Sequence, residues 1–230
     1  MFTIFGKFAV VFCLVLCAVP ITIAQARQGE SRTAGIVADY MVARVNGQLV
    51  TYSDVVWQLA LQPTTPIEPL RTDDLNRALK LIIDQRLILQ EAEKLPNVHG
   101  EEKEVEAALA ELVRQFPSQE ELRRRMTRVG LTSERLREIV HDRVDIDKYV
   151  DFRFRSFTVV SQKEVESYYR GVYVPRFRAR APGSIIPALE TARVEIERTL
   201  TEEKIESSIQ EFLDELRQRA EIVILRPIQP

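Results

Sequence analysis

Cysteine, histidine and glycine are all scarce in this 230-residue sequence, which holds two, two and eight of them. Both cysteines, Cys13 and Cys17, fall inside an apolar N-terminal run. A chain cleaved behind that run keeps no thiol, which excludes disulfides and thiol chemistry from the folded part. Leu16, just before Cys17, is too large for a lipoprotein cleavage site, so no lipid anchor is expected. No Gly-rich phosphate loop, nucleophile elbow or HExxH zinc pair occurs. With 32 basic against 34 acidic residues and a formal charge of −2, the chain offers no electrostatic footprint for nucleic acid.

The few chemical candidates have plainer readings. His99 precedes Gly100 in a turn and reads as solvated. His141 and Asp145, four apart, could pair on a metal, but Arg137 and Asp142 beside them make a charged outer face the simpler reading. Glu101-Glu102 and Glu202-Glu203 lie on polar faces with no apolar pocket to push their acidities apart. The expectation is therefore no enzyme, no cofactor and no metal.

What the sequence does contain is order of a different kind. Lys7, the apolar run from Phe8 to Val19, Pro20 and the small-residue signature Ala24-Gln25-Ala26 follow the plan of a secretory signal peptide over residues 1–26. The competing reading is an uncleaved N-terminal membrane anchor. Residues 27–40 are polar and aperiodic, a flexible N-terminus. With 29% charged and 45% apolar residues and so little glycine, the remainder favours long amphipathic helices.

Asn46-Gly47 between two β-prone runs predicts a hairpin, because both turn positions tolerate positive φ. A lone hairpin is marginal in water, and the other strand candidate is Ile222–Leu225, so the two ends of the folded part should meet. Between them the pattern predicts a short helix from Ser53 to Leu61, a central helix from Asp73 to Leu95 and another from Glu101 to Phe116. A capping box at Ser118–Glu121 opens the next, with Gly130 past its end. One capped by Thr132 or Ser133 follows, with periodicity that runs on toward Phe157, and a second box at Ser161–Glu164 opens a helix toward Tyr173. Residues 175–187 read as a linker, and a long helix from Ala188 to Arg219 closes the helical part. In it the stripe Leu189, Ala192, Ile196 and Leu200 is displaced from the stripe Ile205, Ile209, Phe212 and Leu216, so its halves must pack against different things or bend near Thr201.

The candidate binding residues are apolar or aromatic. Leu136, Ile139, Val140, Ile146, Val150 and Phe154 form a core stripe that leaves out Tyr149 and Phe152. These two are candidates for a polypeptide-binding groove unless a neighbouring helix covers them. Trp57, Met126, Tyr168 and Tyr169 are further candidates. Met126 aligns with Leu122 and Val129, and the tyrosines with Val165 and Val172, which makes core packing their simpler reading.

In combination, these segments resemble the SurA-like periplasmic chaperones. The resemblance is carried by Val42–Asp54, Leu81–Ala92, Gly130–Arg137, Val160–Tyr169 and Phe212–Ile224, in family order. It implies a mainly α, SurA N-terminal-like helical bundle over residues 41–174, with a small antiparallel sheet formed by the hairpin and the C-terminal strand, and residues 188–230 packing back on it. It also implies an ATP-independent chaperone, periplasmic after signal cleavage and without stable membrane insertion. Its partners would be unfolded exported polypeptides, outer-membrane proteins foremost, with the outer-membrane assembly machinery as a further one. Family members commonly carry a parvulin-type prolyl-isomerase domain of about a hundred residues. Here the corresponding interval from Tyr173 to Leu189 is too short to hold one. A non-catalytic envelope adaptor for one folded partner is the alternative.

Overall fold

In the computed structural model, residues 39–229 are described; the signal-peptide reading, with Ala24 and Ala26, lies outside them. Strand β1 (Met41–Val45) and strand β2 (Gln48–Thr51) form the hairpin. Asn46 and Gly47 take φ of 48° and 88°, the left-handed pair that such a tight turn requires. The sheet order is β2-β1-β3, where β3 is Ile222–Ile224 and pairs antiparallel with β1, Val45 opposite Ile222. The hairpin therefore finds its third strand at the other end of the chain. Asn46 fastens this contact, its N–H donating to the Glu221 carbonyl at 3.0 Å and its side-chain oxygen accepting from the Glu221 N–H at 2.9 Å.

Helix α1 (Tyr52–Ala60) starts one residue early because Thr51 and Asp54 build a capping box. Helix α2 (Thr72–Ala92) is the central helix, buried from Leu75 to Ala92 on more than one side. Then come α3 (Glu102–Gln115), α4 (Gln119–Arg128) and α5 (Ser133–Arg153). Ser118 caps α4 and Thr132 caps α5, while Gly130 between them has φ +67°. Helix α5 stops at Arg153, and a single 3-10 turn covers Arg155–Phe157.

The next stretch departs from the sequence expectation. Helix α6 (Gln162–Tyr168), opened by the full Ser161–Glu164 capping box, runs into a π-helical turn at Tyr169–Tyr173 and then helix α7 (Val174–Arg180). Half of the expected 175–187 linker is thus helical. Pro175 reads as a breaker because it lacks an N–H, but here Val174 donates to the Tyr169 carbonyl five residues back, and the proline falls in the first turn of α7. A first turn needs no donor there. Helix α8 (Leu189–Arg219) then runs unbroken for 31 residues.

Three apolar clusters hold these elements together. The largest joins β1, β2, α1 and α2 to Tyr149 of α5 and to Phe212, Leu213 and Leu216 of α8. A second packs Leu61 and α3, α4 and the first half of α5 around Val105 and Leu122. The third is a small lobe of Val165, Ala192 and Ile196, flanked by Tyr168, Tyr169 and Leu200. The displaced stripes of α8 are explained: its first half serves the lobe and its second half the body.

Candidate polypeptide-binding surface

The two leading candidates from the sequence differ in exposure. Tyr149 is 4% exposed and stacks on Phe212 at 6.1 Å, clamping α5 to α8. It is core, so the sequence assignment to a groove is corrected: the α5 stripe is wider than drawn because α2 and α8 cover it from two sides. Burial also raises the Tyr149 hydroxyl pKa. Phe152, three residues on, is 56% exposed.

Phe152 borders a shallow groove of about 420 Å³ with Leu95, Pro96 and Val98 from the α2–α3 connection. Glu104 and Lys148, 2.8 Å apart, lie at its polar side, and Asp151 completes the lining. The lysine holds the Glu104 carboxyl below its usual range, with the Glu101 N–H adding to the effect. Phe157 and Val159, just beyond α5, are 74% and 77% exposed and extend the apolar character along the chain. Leu95, Pro96 and Val98 escaped the sequence reading because they sit in an irregular connection, where no period marks a face.

The connection is positioned by an unexpected polar contact. Asp145 is 5% exposed, not on an outer face, and its carboxylate accepts the Gly100 N–H at 2.6 Å. Nδ1 of His99 and of His141 lies 3.4 and 3.6 Å from its other oxygen. His99 is thus part of an anchor that pins the start of α3 to α5. Among the described residues no group of His, Cys, Asp or Glu is placed to hold a metal ion.

The other candidates are partly covered. Trp57 donates its indole N–H to the Val129 carbonyl at 3.1 Å and lies under the Arg135 guanidinium. Met126 packs beside it against the second cluster. Tyr168 and Tyr169 flank the lobe cluster, and the Tyr169 hydroxyl donates to the Pro187 carbonyl at 2.7 Å. Tyr169 begins a row of rings that continues to Tyr173 at 5.7 Å and Phe177 at 6.2 Å. Their spacing of four is visible in the sequence, but only if the helix is allowed through Pro175.

A small cavity between α1, α2 and α5, crossed by charged side chains, offers little room for a substrate. Arg135 pairs with Asp54 at 3.0 Å, Arg86 with Asp142 at 3.7 Å, and Arg143 donates to the Gln58 amide oxygen at 3.0 Å, between walls of Ile82 and Ile146. Burial raises the Asp142 pKa and lowers that of Arg143. The space is about 50 Å³, room for a water or two at roughly 30 Å³ each and far below a typical ligand site. These are interhelical struts.

Among the described residues no helix is long and apolar enough to cross a membrane. No protein-family model matches the chain, and no curated protein matches it.

Proposed function

We propose that the protein is an ATP-independent periplasmic chaperone that holds unfolded exported polypeptides, outer-membrane proteins foremost. The observation that carries the reading is the groove with Phe152, Leu95, Pro96 and Val98 at its apolar side and charged residues at its rim. Unfolded β-barrel chains present alternating apolar and aromatic side chains that need shielding. Burying one such side chain yields about 1.5–3 kcal/mol, whereas micromolar affinity needs roughly 8 kcal/mol. Holding must therefore use several shallow contacts at once, and each can be released without nucleotide hydrolysis. Resemblance to the SurA-like family supports the same reading. The interval between Tyr173 and Leu189, a seven-residue helix and a loop, supports a chaperone without prolyl-isomerase chemistry.

The test is dilution of a urea-unfolded outer-membrane β-barrel protein into buffer with micromolar purified protein, followed by light scattering. Wild type should delay aggregation, and Phe152→Asp should weaken the delay without lowering the melting temperature, since Phe152 is largely exposed. A peptide assay should show no acceleration of prolyl isomerisation. Untouched aggregation together with capture of one folded envelope protein would replace the chaperone by the adaptor.

A further inference from the structure

The π turn at Tyr169–Tyr173 sets three rings in line along one side of the lobe, Tyr169, Tyr173 and Phe177, with interplanar angles of 19° and 23°. Such turns within helices are frequent at functional sites. Tyr173 and Phe177, with Tyr168, wall a cavity of about 310 Å³ whose other side is Ile196 and Thr199 of α8. That volume suits a large side chain and the backbone that carries it. Arg176 and Arg180 also line it, and Glu195 is the one carboxylate in the lining. Among the described residues neither arginine, nor Arg178 beside them, forms an ion pair, whereas Arg170 and Arg193 close by are paired with Glu166, Glu190 and Glu197.

We propose that this face of the lobe docks an acidic segment of a partner protein that carries an aromatic or large aliphatic side chain beside its carboxylates. The rings receive the apolar side chain, over a floor closed by the buried Ile196. The two guanidiniums, four residues apart on α7, receive the carboxylates, for which their planar donor fork is suited. Charge favours the choice of occupant: the chain as a whole is net acidic at −2, so a cluster of arginines without ion pairs among the described residues attracts acidic partners to this face. Arginine and tyrosine are also the residues most enriched at the energetic centres of interfaces. A flat anionic bilayer would meet the arginines but leave the cavity between α7 and α8 unfilled. The proposal stands apart from the holding reading, because a surface that holds any unfolded chain has no use for selection by charge.

The test uses a labelled peptide that alternates glutamate with phenylalanine, a second peptide with lysine in place of every glutamate, and fluorescence anisotropy with the purified protein. The acidic peptide should bind, more weakly as salt rises, and the lysine peptide should not. Arg176→Glu with Arg180→Glu should weaken the acidic peptide about tenfold or more and admit the lysine peptide. Both arginines are exposed, so the fold should survive; should the double variant unfold, Arg180→Gln alone should still weaken binding. Phe152→Asp should leave the acidic peptide's affinity unchanged, which separates this site from the holding groove. The proposal is overturned if wild type binds both peptides alike, if the arginine variants bind the acidic peptide as wild type does, or if phosphatidylglycerol vesicles are bound and the peptide is not.

Discussion

Replacing Arg125 by methionine keeps an unbranched apolar stem of similar reach and deletes the guanidinium. That group is buried at 8% exposure and carries no carboxylate partner among the described residues. Instead it donates to four backbone carbonyls where α1 ends: Ala60 at 2.9 Å, Leu59 at 3.1 Å, Gln62 at 2.9 Å and Thr65 at 2.7 Å. A helix C-terminus leaves carbonyls without intrahelical donors and carries partial negative charge, so a cation there satisfies both. Burial lowers the arginine's pKa, but a guanidinium keeps its proton in proteins. Leu59 and Gln62 keep backbone donors without Arg125, from Gln62 and Thr65, whereas Ala60 and Thr65 do not. Two orphaned carbonyls cost about 1–3 kcal/mol each, nearer the lower end for the partly exposed Thr65. The loss of the cation over Phe116 adds about 0.5 kcal/mol. The total is about 3 kcal/mol, or roughly 6–12 °C in melting temperature for a domain of this size. Arg125→Lys should fall between, since one ammonium cannot span carbonyls reached from both Nε and Nη2. Thermal unfolding followed by circular dichroism decides it, and a methionine variant within about 2 °C of wild type would refute the capping argument.

Truncation after Arg219 removes β3 and the buried Ile228, uncovering the β1 edge, and should lower the melting temperature sharply; an unchanged value would mean that β1 does not need its third strand. Gly100→Ala would place a Cβ 2.6 Å from Val144 Cγ1 and should cost about 1–3 kcal/mol in urea unfolding, unless the Asp145 anchor yields. Glu164 is held at about 2 by Lys204 first and then by the Ser161 N–H and hydroxyl, against 4.5 ordinarily. Its contribution to stability is thus present above 4.5 and lost as pH falls toward 2, so the melting-temperature gap between wild type and Glu164→Gln should close over that window. A gap that persists at pH 2 would contradict the sign.

The fold was legible in the sequence where local rules agree with the tertiary outcome. Asn46-Gly47, the Ser161–Glu164 box and Gly130 each fix a turn or cap by chemistry within a few residues, and each is where it was expected. The meeting of the hairpin with the C-terminal strand followed from elimination, since a lone hairpin is marginal in water. The candidate surface was less legible because burial depends on neighbours that a single helix does not reveal. Tyr149 and Phe152 both fall outside the α5 stripe, Tyr149 about 60° nearer to it at 100° per residue, and it is Tyr149 that Phe212 covers, while nothing among the described residues buries Phe152 to the same degree. Arg125 carried only a positional signal, since it lies beside Leu122 and Val129 on the apolar side of its helix while Arg123 and Arg124 do not, and nothing local says that the guanidinium turns inward to cap α1. Pro175 misled for a physical reason: its effect depends on the hydrogen-bond register of the preceding turn, which shifts from four to five residues here.

The two halves of α8 imply that the lobe opens more easily than the body. Ile196 and Phe212, sixteen residues apart, lie about 160° around the helix from one another, so lobe and body contact opposite sides of it. The lobe buries Val165, Ala192 and Ile196, and at about 1.5–3 kcal/mol for each of the two larger side chains this core contributes only about 3–6 kcal/mol. Fixing the backbone of each lobe residue opposes it by about 1–2 kcal/mol. The lobe is therefore ordered because α8 is already nucleated in the body, where Phe212, Leu213 and Leu216 are held by a much larger cluster. Amide hydrogen exchange should show α6 and residues 189–200 exchanging well before α2 and residues 205–219. Elements that open locally are also those from which binding surfaces are drawn, so an acidic peptide seated against Tyr173 and Phe177 should slow exchange in the lobe and leave α2 unchanged. If α6 amides prove as protected as those of α2 in the free protein, the lobe is an integral part of the body and the small-core argument fails.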